Sequence, residues 1–250
     1  MTSTFETVAP PVDVLVVGSG VAGLAAGLTL EGSAVRILTK GELGTSGSSP
    51  RAQGGIAAAV GEEDSPEIHA TDTIGVGGGL SDDGAVSVLS REGPPRIDQL
   101  LELGTRFDRD EDGELLLGRE AAHSRRRILH AGGDATGREM VRALSLAATE
   151  APWIEIEEKV FVEDLLSRDE AVLGVVARHA GGRRLLHPAR AVILAAGGVG
   201  QLYRWTTNPV ECTGDGLAMA SRAGAVLADL EFVQFHPTAL ACGRDPLPLL

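Results

Sequence analysis

The chain has 250 residues, 43% hydrophobic and 23% charged, with a formal net charge of −13. That length supports one large domain or somewhat more, with a sizeable buried core. The acidic excess argues against nucleic-acid binding, which runs on surplus positive charge, and no run approaches the roughly 18 apolar residues of a membrane span.

Residues 1–11 carry neither the basic nor the apolar segment of a signal peptide. Next, DVLVV at 13–17 is a short β-branched run, as expected of a strand buried on both faces of a parallel sheet. It leads into GSGVAG, Gly18 to Gly23, and then into a helical stretch over 24–30. Strand, glycine turn and helix in that order make GxGxxG specific for a dinucleotide. Gly18 makes the tight turn, Gly20 lets a pyrophosphate approach the backbone, and Gly23 lets helix and strand pack closely. The helix N-terminus then offers its N–H groups and dipole to the anion. Residues 34–39 read as a second strand with Lys40 at its end. A nicotinamide-dinucleotide fold puts Asp or Glu near this point for the ribose. Lys40 departs from that pattern and serves either a cofactor's phosphate or adenosine, or the surface.

Residues 46–58 form a second loop rich in glycine and serine, suited to a flat cofactor. The helical pattern over 81–103 is interrupted at Gly93-Pro94-Pro95, where a second helix can begin on proline. DRDEDG at 108–113 imitates half a calcium loop, but its twelfth position is Arg119 where a bidentate glutamate is needed. A hairpin turn at Asp112-Gly113 is the better reading. After a helix over 137–149, residues 153–188 alternate as short strands with turns at 167–169 and 181–182, a small antiparallel layer inserted into the main sheet. AVILAAGG at 191–198 returns to a buried parallel strand, and 213–224 opens another helix with Asp215 in its first turn. The expected fold is α/β, a Rossmann-like doubly wound domain with a small inserted antiparallel β layer.

One segment stands out in so acidic a chain: GREAAHSRRRILHAGGDATG at 118–137, with four arginines and two histidines. It reads as a hold on a small anionic substrate or as a solvated face. His69, His179 and His187 have no motif around them and no metal-ligand spacing, so no metal is expected. Cys212 and Cys242 form no pair, which fits a reducing cytoplasm. Residues 245–250 read as the approach to another element, so the chain is expected to continue past Leu250.

Four segments together resemble one family: VVGSGVAGLAAGL, SSPRAQGGIAA, REAAHSRRRILHAGGDATG, and TTNPVECTGDGLAMASRAGA followed by LEFVQFHPTAL. From about residue 13 to 240 the chain is similar to the amino-terminal part of the L-aspartate oxidases, within the succinate dehydrogenase and fumarate reductase flavoprotein superfamily. The resemblance implies FAD, contacted by Gly18, Ser19, Gly20, Val21, Ala22, Gly23, Lys40, Ser48, Ser49, Ala52, Gln53, Gly54, Gly55 and Asp215. Covalent members bond a loop histidine to the flavin; Ser48 occupies that place, which implies non-covalent FAD. Glu120 matches a glutamate that faces the substrate amino group, and His236 one that hydrogen-bonds a substrate carboxylate. Gln234 and Thr238 join the substrate residues by proximity. For Arg125, Arg126 and Arg127, substrate contact and structural pairing stay equally open. Ala121-Ala122 departs from a pair of glycines common in the family, which puts the backbone beside Glu120 in question.

The activity implied is oxidation of L-aspartate to iminoaspartate, with dioxygen or fumarate reoxidising the flavin, as the first step towards quinolinate in de novo NAD biosynthesis. Quinolinate synthase is the implied protein partner. The family's acid–base arginine has no match and is expected beyond residue 250, so the 250-residue piece alone is expected to be inactive. Residues 1–236 are expected to be the FAD-binding domain and 237–250 the entry into a capping domain. The alternatives are a fumarate-reductase-like dicarboxylate flavoenzyme, whose substrate has no amine for Glu120, and a non-catalytic flavin-binding fragment.

Overall fold

The computed structural model describes residues 7–169 and 171–249. Residues 1–6 of the N-terminal stretch and residue 250, the end of the 245–250 segment, lie outside the described residues. The strands are β1 Thr7–Val8, β2 Val12–Val17, β3 Val35–Thr39, β4 Ile56–Ala57, β5 Leu117–Gly118, β6 Ile128–Leu129, β7 Ile154–Glu158, β8 Phe161–Arg168, β9 Ala171–Arg178 and β10 Arg184–Leu194. The helices are α1 Val21–Leu28, α2 Pro66–Val76, α3 Asp83–Glu102, α4 Thr136–Glu150 and α5 Asp215–Arg222. The chain divides into two compact units, residues 1–49 with 145–250, and residues 50–144.

The first unit is built on a sheet in the order β7-β3-β2-β10-β9-β8, with β1 also paired to β10. β2, β3 and β7 pair in parallel, and the β2–α1–β3 crossover follows the sequence pattern. One expectation changes here: β7, expected in the antiparallel layer, is a parallel strand of the main sheet beside β3. β8 and β9 are the antiparallel insertion, joined to the main sheet by β10. Its first half pairs antiparallel with β9, from Arg184↔Arg178 to Pro188↔Gly174, and its second half pairs parallel with β2, from Ala189↔Val12 to Leu194↔Val17. Pro188 sits at the changeover; the sequence pattern breaks there, but the strand does not. One face buries Leu15, Val17, Leu38, Val162, Val175, Ala177 and Met219 as a continuous apolar cluster.

That face also holds a polar island. Arg36 on β3 is buried and donates to Glu155 Oε2 and to the Pro10 carbonyl, with Glu157 Oε1 3.1 Å from its Nε. His187 on β10 is fully buried. Desolvation, then the neighbouring His179 and Arg36, push its pKa from 6.5 down to about 4.

In the second unit β4, β6 and β5 form a small antiparallel sheet. α2 starts on Pro66 behind Ser65, whose Oγ accepts from Ile68 N at 3.3 Å, and α3 starts behind Asp82, which accepts from Ala85 N at 2.7 Å. α3 then runs unbroken through Pro94 and Pro95, against the expected interruption. The reason is tertiary: Val86, Ser90, Ile97 and Leu100 form one buried stripe, and their packing outweighs the two missing N–H donors. The calcium-like segment is a turn, as its sequence implied. Gly113 has φ +85°, its N–H donates to Asp110 O, and Asp110 Oδ1 accepts from the backbone of Asp112 and Glu114.

Candidate functional site

A cleft of about 410 Å³ opens in the first unit at the carboxyl ends of β2, β3 and β10. Its floor is the glycine turn. Gly18 has φ +110°, and a Cβ there would stand 2.3 Å from Ala195 O; at Gly23 it would stand 2.0 Å from Gly18 O. Both positions therefore exclude any side chain. Gly20 differs: a Cβ would meet only the Ser49 hydroxyl, at 3.0 Å, so this glycine keeps the cleft open. α1 starts at Gly20 with no side-chain cap. Val21 N donates to Ser49 Oγ at 3.1 Å, and the other N–H groups of the first turn are left for an anion.

The opposite wall comes from distant segments. Lys40 Nζ lies 2.5 Å from Asp215 Oδ2 and 2.9 Å from Thr213 Oγ1, so two expected cofactor residues meet across the cleft as an ion pair. Lys40 also lies 5.8 Å from the Phe161 ring centroid. The Ser48 hydroxyl contacts Asn208 Oδ1 at 3.1 Å and Cys212 Sγ at 3.0 Å. Of the expected cofactor residues, Gly18, Ser19, Gly20, Ala22, Lys40, Ser48, Ser49 and Asp215 line the cleft. Val21 and Gly23 do not line it; Val21 N bonds the Ser49 hydroxyl and Gly23 packs against the Gly18 carbonyl. Ala52, Gln53, Gly54 and Gly55 belong to the second unit, where Gly55 packs so closely on β6 that a Cβ would stand 2.3 Å from Ile128 Cγ2. Sequence reasoning missed Phe161, Glu211 and Cys212, all lining the cleft. Glu211 lies within a motif already noted, but only its buried Oε2, which has no hydrogen-bond partner among the described residues, marks it as a candidate acceptor.

In the second unit the cationic segment separates into different roles. Arg127 is 0% exposed and bidentate to Asp64, at 2.8 and 2.9 Å, with Nη1 2.8 Å from Asp72 Oδ2. The Ser124 backbone N–H, helped by the Ser124 hydroxyl and Arg127, holds the Asp72 carboxyl below the usual carboxylate range. Arg127 is thus an internal tie. Arg125 and Arg126 are exposed and reach only backbone carbonyls, of Glu63, Ser124 and Leu117. Glu120 is exposed and its carboxylate has no partner among the described residues. Its carbonyl accepts from His123 N at 3.3 Å, and the turn so formed places Ala122 at φ +70°, where the family's glycine would be unstrained.

In the first unit His236, Gln234 and Thr238 lie exposed on the segment after α5. Thr238 N donates to His236 Nδ1 at 3.3 Å, with Thr238 Oγ1 at 3.0 Å. A backbone donor on Nδ1 makes that atom an acceptor and leaves the proton of the neutral ring on Nε2.

A glycine-floored cleft at the switch point of a parallel sheet, with an uncapped helix start, defines a dinucleotide-cofactor domain. The ion pair at Lys40 stands where a nicotinamide fold would carry a free ribose-binding acid. The chain belongs to the FAD binding domain family, which it matches over residues 13–247, and its cofactor is FAD. The L-aspartate oxidase of Agrobacterium fabrum is 49% identical over 236 residues, covering 94% of this chain and 45% of that protein. The Streptomyces coelicolor L-aspartate oxidase is 49% identical over 241 residues, covering 93% and 41%. Among solved structures, an E. coli quinol fumarate reductase superposes with a TM-score of 0.89 at 33% identity, covering 94% of this chain and 40% of that one. The chain spans less than half the length of these relatives. The residues fit the cofactor: the cleft would be filled by a Cβ at Gly20, α1 offers N–H groups to a pyrophosphate, and Glu211 Oε2 offers an unused acceptor. Among the described residues no helix is long and apolar enough to cross a membrane.

Proposed function

We propose that residues 1–236 are the FAD-binding portion of an L-aspartate oxidase and that 237–250 lead into a capping domain. The enzyme oxidises L-aspartate to iminoaspartate, and dioxygen or fumarate accepts the electrons. Its place is the first step towards quinolinate in NAD biosynthesis, in the cytoplasm, with quinolinate synthase as the consuming partner. The observation that carries this reading is Glu120: an exposed carboxylate, unpaired among the described residues, in the segment that separates amine-bearing from amine-free dicarboxylate substrates. Its role is to accept a hydrogen bond from the substrate ammonium. His236, with its proton held on Nε2 by Thr238, donates to a substrate carboxylate, and Gln234 and Thr238 complete that contact. FAD, when bound, supplies the acceptor of the electron pair leaving Cα. Ser48 holds FAD without a covalent bond, since its hydroxyl lacks the imidazole nucleophile of covalent relatives. No residue of 1–250 matches the family's acid–base arginine.

The test uses enzyme expressed from its full reading frame. Glu120→Gln should lower aspartate oxidation ten- to hundredfold, the worth of a charge-assisted hydrogen bond of about 1.5–3 kcal/mol, while fumarate reduction changes little. Equal losses on both substrates would move Glu120 to a structural role and remove the observation that carries this reading. In the same preparation, acid precipitation should release all flavin into the supernatant.

A further inference from the structure

His179 and His187 carry no motif, yet the fold brings them together. His179 precedes the turn at 180–182 that joins β9 to β10, and His187 lies in β10 opposite Val175. Their Nε2 atoms are 2.9 Å apart and their rings are within 9° of parallel. Glu157 on β7 completes a group in which one ligand atom from each residue lies within 4.8 Å of the others. None of the three lines the flavin cleft.

This cluster is not at rest as a hydrogen-bonded pair. A 2.9 Å contact between two imidazole nitrogens uses one proton and one lone pair. Whichever ring donates, His187 Nδ1 remains buried without a partner among the described residues, with Glu157 Oε1 3.9 Å away. His179 Nδ1 stands 3.7 Å from Glu157 Oε2. Arg36 already occupies Glu155 and one oxygen of Glu157, which orients that carboxylate and leaves Oε2 turned to the imidazoles. With neutral rings, Arg36, Glu155 and Glu157 leave a single net negative charge here. Two imidazoles and a carboxylate held by an outer guanidinium form the donor set of a three-residue zinc site. His179 and Glu157 are partly exposed, which gives an ion a way in.

We propose that Glu157, His179 and His187 bind one divalent transition-metal ion of the zinc type, tying the β9–β10 turn to the far edge of the sheet. Coordination by both Nε2 atoms replaces the hydrogen bond between them, the donor ring's proton moving to its Nδ1. Zinc, copper and nickel suit imidazole; zinc is the probe.

FAD-loaded, tag-free protein is dialysed against Zn2+ and the metal counted by mass spectrometry. One zinc per chain is expected, with a zinc X-ray absorption spectrum of imidazole and carboxylate ligands and a melting temperature raised by the ion. His179→Ala should weaken binding by at least about a hundredfold, the upper end of what even an outer partner of a ligand commands. Glu157→Gln should weaken it at least about tenfold. Absence of zinc from the wild-type protein, equal zinc in both variants, or a spectrum without imidazole overturns the proposal. Should His179→Ala not fold, as judged by circular dichroism, Glu157→Gln and the wild-type spectrum decide it.

Discussion

Replacing Arg127 with methionine removes the guanidinium but keeps most of the volume, so the loss is electrostatic. Asp64, with a side chain 2% exposed, then keeps a buried charge that loses both guanidinium bonds and retains only the Ser65 N–H on Oδ1, and Asp72 loses one of its own donors. Breaking a buried pair from one side costs about 3–5 kcal/mol, a large fraction of the 5–15 kcal/mol that holds a domain folded. Urea denaturation followed by circular dichroism should show that loss as a lower midpoint with little change in slope. Adding Asp64→Asn should recover part of it, because the stranded charge disappears. Arg125→Met, on an exposed side chain, should stay within about 0.5 kcal/mol of wild type. A stability loss below about 1 kcal/mol for Arg127→Met, with a large rise in KM for aspartate, would show that Arg127 serves substrate and that its bonds to Asp64 and Asp72 are incidental.

Gly18→Ala should cost about 2–6 kcal/mol and abolish FAD retention, since the new Cβ meets Ala195 O at 2.3 Å and φ is +110°; flavin absorbance of the purified protein reads it. Ala122→Gly should stabilise by about 0.5–1 kcal/mol: the left-handed turn costs alanine about 1–2 kcal/mol, less the greater unfolded-state entropy of glycine. An unchanged melting temperature would mean the turn is not formed in solution. His187 titrates near 4 when folded and near 6.5 when unfolded, with His179, Arg36, Glu155 and Glu157 around it. The unfolded state binds the extra proton between those values, so stability is retained above 6.5 and lost as pH falls towards 4, by about 2–3 kcal/mol. With chelator present, His187→Gln should flatten that slope in urea titrations.

The nucleotide cleft was legible because its chemistry is local: strand, glycine turn and helix follow one another, and the glycines answer to steric needs set within a few residues. Lys40 is legible as an exception, and Asp215 as a first-turn acid and, by resemblance, a cofactor residue, but their pairing is not, because an ion pair between remote loops leaves no spacing to detect. The same distance hid Arg36 with Glu155 and the meeting of Glu157, His179 and His187. The arginine run was ambiguous for another reason. Three adjacent residues of one type point in different directions, and only burial separates Arg127 from Arg125 and Arg126. α3 and β10 failed the local reading in the same way, each carrying proline through an element that tertiary contacts hold together.

β10 also sets an order of events during synthesis. Leu194 pairs with Val17, about 180 residues earlier, and its glycine-rich continuation forms the ceiling under which Gly18 turns. At roughly 5–20 residues per second, translation leaves β2 without that neighbour for on the order of ten to thirty-five seconds. Through that interval an apolar strand has a bare edge, the kind that recruits other chains. A nascent chain halted before residue 184 should therefore bind chaperone and no flavin, and one released after residue 194 should have closed its edge. Cofactor capture thus waits on β10, although the glycine motif that begins it is made about 170 residues earlier.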